Sequence, residues 1–312
     1  MSEKLKYNLI ENETAYEISN INQDISGEII IPPLHEGKPV KRIAKASFMQ
    51  CKNLTNIKIP DSVESIGEFA FRLSGISDNW NKKGIIYADK WVISVTDGKS
   101  KVKEDMVFKD GTIGIADYSI SGKYSSITIP STLKHIGKEV FFHCHKIGVL
   151  NDFEKIIVEE GNKIYRTDGN NLVRVSDNTL IFGLDGIIPN YIKKIGEGAF
   201  KLNLDLKSVI IPDSVTHIEN EAFCACKNLK EILIPKGVTH IGREAFFNCR
   251  NLLKIIIPDT VETIGPKAFN RTGEKKGKFN IFVRGYTEKQ KGWDNDWNLD
   301  NHPVIYDYHG KQ

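Results

Sequence analysis

The chain has 312 residues, 40% hydrophobic and 27% charged, with 43 Lys and Arg against 40 Asp and Glu for a net charge of +3. So even a balance gives no argument for nucleic acid as a partner, and no stretch reaches the ~18–20 apolar residues of a membrane helix, which argues against membrane insertion. The opening MSEKLKYNLIENETAYEI holds no apolar core of signal-peptide length, so the chain as written is expected in the cytoplasm, or secreted or on the cell surface if its N-terminus has been trimmed.

In chain order, residues 1–28 are expected to form N-terminal cap strands, 29–270 a solenoid of repeats and 271–312 a C-terminal cap. Pro32 opens a first unit carrying five extra residues in the loop LHEGKP before Val40, Ile43, Phe48 and Cys51, and Pro60 opens the next. The segment GIIYADKWVISVTDG at 84–98 reads as an inserted β-hairpin, a spacer in the array, because apolar residues alternate about the turn at Ala88-Asp89-Lys90. Residues 106–120 form a degenerate unit with Ile115, Ala116, Ser119 and Ile120 at the apolar places, and Pro130 begins another. A second hairpin is expected in NKIYRTDGNNLVRVSDNTLIFG at 162–183, around Asp168-Gly169-Asn170. Pro189, Pro212, Pro235 and Pro258 then recur every 23 residues, bringing the array to about eight units. Such a period marks a solenoid, in which each unit buries its apolar face only against its neighbours.

Counting from each proline as position 0, positions 3 and 6 are aliphatic and position 11 is Phe71, Phe141, Phe200, Phe223, Phe246 and Phe269, a phenylalanine spine through the stack. Leu229 with Ile232 and Ile234, and Leu252 with Ile255 and Ile257, alternate as a short strand that ends at the proline. Position 7 is usually glycine, as at Gly67, Gly137, Gly196, Gly242 and Gly265, which suggests a corner needing an unusual backbone angle, although Glu219 breaks the pattern. Stretches such as Arg243-Glu244-Ala245-Phe246 predict 3₁₀ or single-turn helix. The fold class expected is therefore a mostly-β solenoid with short helical turns.

The run IPDSVTHIENEAFCACKNLKEILIPKGVTHIGREAFFNCRNLLKIIIPDTVETIGPKAF at 211–269 resembles the BspA-type leucine-rich repeats, also described as the Treponema pallidum class. The hairpins, the opening LKYNLIENETAYEI and the terminal GWDNDWNLDNHPVIY extend the resemblance over nearly the whole chain. It implies a curved, right-handed leucine-rich-repeat solenoid of a kind often displayed on bacterial surfaces or secreted to bind host or partner proteins. As written, the sequence shows no export signal or cell-wall anchor, so adhesion is the less expected of these roles.

Of five cysteines, Cys51, Cys144, Cys226 and Cys249 share position 14, so their recurrence is structural, while Cys224, Cys226 and Cys249 invite a zinc or disulfide reading. The same position accepts Asn203 and Thr272, which speaks against a required thiol. His135, His217 and His240 share position 5 and are expected on the outer surface, with His143 and His145 beside Cys144, and no carboxylate accompanies the ladder at that position. Neither a Gly-x-Ser-x-Gly elbow, a phosphate loop nor a His-Glu-x-x-His appears, so no enzyme, catalytic residue, metal or cofactor is expected.

Binding is expected instead on the strand face, concave in such solenoids, where outward side chains of successive units align. Position 21 reads Ile187, Ile210, Leu233 and Ile256 in the last four units, and position 19 reads Asp185, Ser208, Glu231 and Lys254. The candidate site is Ile187, Ser208, Ile210, Glu231, Leu233, Lys254 and Ile256, an apolar strip with a polar rim for an unknown protein partner, and it also allows self-association. A surface or secreted adhesin for host matrix protein or glycan is the alternative. Between Arg271 and Lys291 seven basic residues face two acidic ones, read as a solvated cap surface. Trp293, Trp297, Tyr286, Tyr306 and Tyr308 are read as a cap over the last apolar turn rather than a sugar platform.

Overall fold

In the computed structural model of the protein, the repeat prolines from Pro60 onward begin a turn: the carbonyl accepts the N–H of the residue three places on, Val63 to Pro60 and Val215 to Pro212 at 3.0 Å, Val238 to Pro235 at 3.1 Å. Lacking an N–H, proline stops the parallel ladder at that point. The structure describes residues 5–19, 22–77, 84–96, 104–121, 124–141, 153–273 and 279–310. They fall into two units, Met1–His143 with Glu159–Asn162, and Cys144–Val158 with Lys163–Gln312.

The chain is a mostly-β solenoid of about 11 turns. In the first unit, corner strands Ala15–Ser19, Lys38–Ile43 and Ser65–Ile66 lie in parallel, and Lys6–Ile10 covers the free edge of Ala15–Ser19 in an antiparallel pair. The loop LHEGKP is a small hairpin, Leu34–His35 against Lys38–Pro39, turning through left-handed Glu36 and Gly37 as a two-residue hairpin requires. In the second unit the corner ladder runs Thr179–Gly183, Lys194–Ile195, His217–Ile218, His240–Ile241, Thr263–Ile264.

The larger hairpins are not spacers. Gly84–Ala88 pairs antiparallel with Trp91–Thr96 as the sequence predicts, but Trp91 and Val92 then stand in parallel register with Gly114 and Ile115. Likewise Tyr165–Asp168 and Asn171–Arg174 lead into Thr179–Gly183, whose Thr179 and Leu180 pair with Lys194 and Ile195. Each hairpin region therefore supplies a turn of the solenoid in addition to the units expected from the sequence.

The side expected to be helical is a train of turns, and Gly75–Ser77 is the only helix, a 3₁₀ turn, among the described residues. Positions 9 and 13 are left-handed in successive repeats, as at Glu221 (φ 57°), Ala225 (φ 59°), Glu244 (φ 54°) and Asn248 (φ 60°). That conformation breaks the helix and turns alternate N–H groups toward the next turn. Glu221, Phe223 and Ala225 donate to the carbonyls of Arg243, Ala245 and Phe247 at 2.7–2.8 Å.

Position-7 glycine also has a different cause from the one expected. Gly242 and Gly67 do not adopt a positive φ; a Cβ on them would lie 2.5 Å from the backbone nitrogens of Asn220 and Lys45 in the preceding turn. The demand is close approach of backbones. Nothing in the structure explains how Glu219 is accommodated at the same position.

Inside, Val63, Val215, Val238 and Val261 at position 3 are fully buried, as are Ile66, Ile195, Ile218 and Ile241 at position 6, while Ile136 is only half-buried. Phe200, Phe223, Phe246 and Phe269 form a parallel stack with centroids 5.1, 5.4 and 5.6 Å apart. In the first unit Phe48 and Phe71 stack at 5.3 Å. At the C-terminal end Trp297 meets Phe269 edge-on at 5.9 Å and Trp293 pairs with Trp297 at 5.0 Å. Both indoles are buried, so they present no sugar platform.

Candidate functional site

The thiols that looked chemical are wired into the backbone. Cys226 Sγ donates to the Phe200 carbonyl at 3.0 Å, Cys249 Sγ to that of Phe223 at 3.1 Å, and Thr272 Oγ1 to that of Phe246 at 2.8 Å. At Cys226, Cys249 and Thr272 position 14 thus holds a small side chain with a donor to a buried phenylalanine carbonyl one turn back, while Asn203 at the same position donates to the Leu184 carbonyl at 2.7 Å. Burial pushes the thiols of Cys226 and Cys249 up, which keeps them protonated and able to donate. Cys51, Cys224, Cys226 and Cys249 are all buried. His143, Cys144 and His145 lie outside the described residues. Replacing Cys249 by alanine is expected to cost about 1 kcal/mol of stability by removing one of the two hydrogen bonds to the Phe223 carbonyl, which still accepts the Cys226 N–H at 3.2 Å, whereas Cys249→Thr, which reproduces the hydroxyl donor of Thr272, retains most of it. Urea midpoints of the two variants check this, and equal losses would mean that volume, not the donor, matters there.

The histidines are half-buried rather than on the outer surface. His217 and His240 lie 5.6 Å apart by ring centroid, but their Nδ1 atoms are taken by Thr216 Oγ1 at 2.8 Å and Thr263 Oγ1 at 2.5 Å. Burial lowers the pKa of His240 and of His135, whose ring stacks at 5.6 Å on Trp91. Among the described residues no group of three or more His, Cys, Asp or Glu is placed to hold a metal ion. No helix among them is long and apolar enough to cross a membrane.

The strand face of the second unit gathers the candidate residues. Ile187 bridges in parallel to Ile210, Ile210 stands in register with Leu233, and Ser208 with Glu231. Their alternation is that of a pleated strand: Val209 and Ile232 point into the core while Ser208, Ile210, Glu231 and Leu233 are exposed. Ile187 is 72% exposed, Ile210 78% and Leu233 39%. Lys254 is exposed as expected.

Ile256 departs from the expected row. It is 6% exposed, and its partner in register is Phe282, whose ring packs on Tyr308 at 4.5 Å. The C-terminal segment closes the row at that point, so the exposed strip is Ile187, Ile210 and Leu233. Phe282 falls outside the 23-residue spacing, since it lies 26 residues after Ile256; the alternation of buried Phe279, Ile281 and Val283 around it was the signal available. In the first unit position 21 carries an exposed Ile30 and an exposed Lys58, so no comparable apolar row forms from that pair.

No curated protein matches this sequence. Among solved structures, the chain is similar to the pneumococcal vaccine antigen PcpA, at 16% identity and a TM-score of 0.51, covering 98% of this chain and 84% of that one. It is also similar to a leucine-rich cell surface protein of Faecalibacterium prausnitzii A2-165, at 21% identity and a TM-score of 0.44 over 100% of this chain and 98% of that one. A leucine-rich repeat protein of Eubacterium ventriosum matches at 19% identity and a TM-score of 0.48, over 100% and 95%. The BspA type leucine rich repeat region matches in six copies, over residues 28–94, 99–165 and 185–279. With repeat, strand face and phenylalanine stack all in place over those residues, the chain belongs to the BspA-type leucine-rich repeat family.

Proposed function

We propose that the protein is a non-enzymatic scaffold that binds another protein through the strand face of its second unit. The observation that carries this reading is the row Ile187–Ile210–Leu233, three aliphatic side chains left in water on adjacent strands beside Asp185, Ser208 and Glu231. Leaving such side chains exposed costs about 1.5–3 kcal/mol each relative to burial, and a contiguous strip of them is what a partner would bury. The hydroxyl and carboxylates beside it supply the polar rim that fixes orientation.

The test compares the wild-type chain with Ile210→Glu/Leu233→Glu in affinity isolation from the native source. Because both side chains already face water, the double variant is expected to melt within about 1 kcal/mol of wild type. A protein retained by the wild type and lost from the variant supports the strand face. Equal recoveries overturn it, and loss of folding in the variant would show that the row belongs to the core.

A further inference from the structure

Resting on that reading of the strand face, we propose that the bound partner is an acidic protein segment, its apolar side chains laid on Ile187, Ile210 and Leu233 and its Asp and Glu turned to a basic flank along the strand entries. Lys207 and Ser208 are both exposed between buried Leu206 and Val209, and Lys230 and Glu231 between buried Leu229 and Ile232, so each lysine shares the outer face with the strand it leads into. Lys254 is exposed at the head of the next strand. Lys230 N–H donates to the Lys207 carbonyl at 2.9 Å, which sets the two lysines on adjacent turns. Lys227 and Arg250, both at position 15, continue the flank into the turns before the strands, where Asn251 N–H donates to the Lys227 carbonyl at 3.2 Å.

Little of this charge is answered within the chain. Over positions 15–19 of these repeats, residues 204–208, 227–231 and 250–254, five cations stand against Asp205 and Glu231, an excess of three. None of the five forms an ion pair among the described residues, whereas Lys201 and Arg243 on the neighbouring turns both close on Glu221, at 2.6 and 2.8 Å. Arg250 Nε donates to a neutral acceptor, Asn248 Oδ1, at 2.9 Å. Asp185, at the near end of the row, accepts Asn170 Nδ2 at 3.0 Å and the Ile187 N–H at 3.1 Å, so its carboxylate is already engaged. Like charges on adjacent turns ~4.8 Å apart repel, and carboxylates from a partner relieve that repulsion.

The other side of the row has the opposite sign. Asp213, Lys236 and Asp259, at position 1 of successive repeats, are all exposed, with an excess of one negative charge. An acidic segment is therefore drawn to one flank and turned away from the other, which fixes how it lies on the row. A nucleic acid or a sulfated glycan would use the cations but leave the aliphatic row in water, and positions 15–19 offer no aromatic ring on which a base could stack.

Three displayed peptide libraries of equal length and apolar content, whose polar positions are Asp/Glu, Ser/Asn or Lys/Arg, are panned against the full chain. Recovered binders are then measured against wild type, Lys207→Gln/Lys230→Gln, and Ile210→Ser/Leu233→Ser, which removes apolar surface without adding charge. Binders are expected from the acidic library, weakened at least about tenfold by the serine variant. The glutamine variant is expected to weaken them about two- to tenfold and to flatten their loss of affinity with salt. If the binders weakened by the serine variant come from the neutral or basic library, or ignore the glutamine variant, the strand face stands and the acidic partner is wrong. Binders indifferent to the serine variant, or no binders at all, overturn both readings. Heparin and an oligothymidylate are measured alongside: either one binding more tightly than the peptides, and unaffected by the serine variant, assigns the flank to a polyanion and overturns the acidic protein. Because the two lysines repel, the glutamine variant is expected to melt no lower than wild type; a lower melting temperature would make the lysines part of the fold and overturn the flank.

Discussion

Phe223→Ala is expected to lower the stability of the second unit by about 3–5 kcal/mol. Its ring lies between those of Phe200 at 5.1 Å and Phe246 at 5.4 Å, with planes within 4° of each other. Truncation leaves a cavity between two rings that cannot close on it, because the backbone at this level is held by Phe223 N–H to Ala245 O and Phe200 N–H to Ala222 O, both at 2.8 Å. In a stack whose units touch only their neighbours, the loss falls on two interfaces at once. Phe48, with one stacked ring partner among the described residues, should cost less when truncated. Urea unfolding followed by circular dichroism checks both variants, and a Phe223→Ala midpoint close to wild type would mean that the aliphatic positions alone hold the turns together.

Deleting residues 285–312 is expected to make the protein aggregate. The segment supplies Trp293 and Trp297 to the core, and its backbone completes the last repeat: Asp294 N–H donates to Ile264 O at 2.7 Å, Asp296 O accepts from Lys267 N–H at 2.8 Å, and Trp293 Nε1 donates to Val261 O at 3.2 Å. Removing it bares Phe269 together with a row of unpaired backbone groups, an edge on which other chains can add. It also uncovers Phe282 by removing Tyr308. Size-exclusion chromatography of the truncated chain decides the matter: a monodisperse, folded product would make the segment an appendage instead of a closing element.

The prolines, the aliphatic positions 3 and 6, the phenylalanine stack and the outward row of Ile187, Ile210 and Leu233 were all legible without coordinates. A repeat turns similarity between residues 23 apart into adjacency in space, and strand alternation says which of them face inward. What the repeat could not show is whatever depends on atoms brought against it from the next turn or from outside the array. Glycine at position 7 answers to the backbone of the preceding turn, as at Gly67 and Gly242, where a nitrogen lies 2.5 Å from where the Cβ would be. Cysteine at position 14 answers to a phenylalanine carbonyl one turn back. The left-handed residues at positions 9 and 13 replace the expected helical turn because their N–H groups pair with the following repeat. Hairpin residues Trp91 and Thr179 joined the corner ladder through registers that no local pattern specifies.

The candidate site divides in the same way. Its direction and its aliphatic character were determined by the sequence itself, because period two and period 23 together place Ile210 and Leu233 on the outer side of successive strands. Its extent was decided only by tertiary structure. Ile256 has the same local sequence environment as Leu233, yet the first is buried and the second exposed, because Phe282 and Tyr308 arrive from a segment that does not follow the repeat.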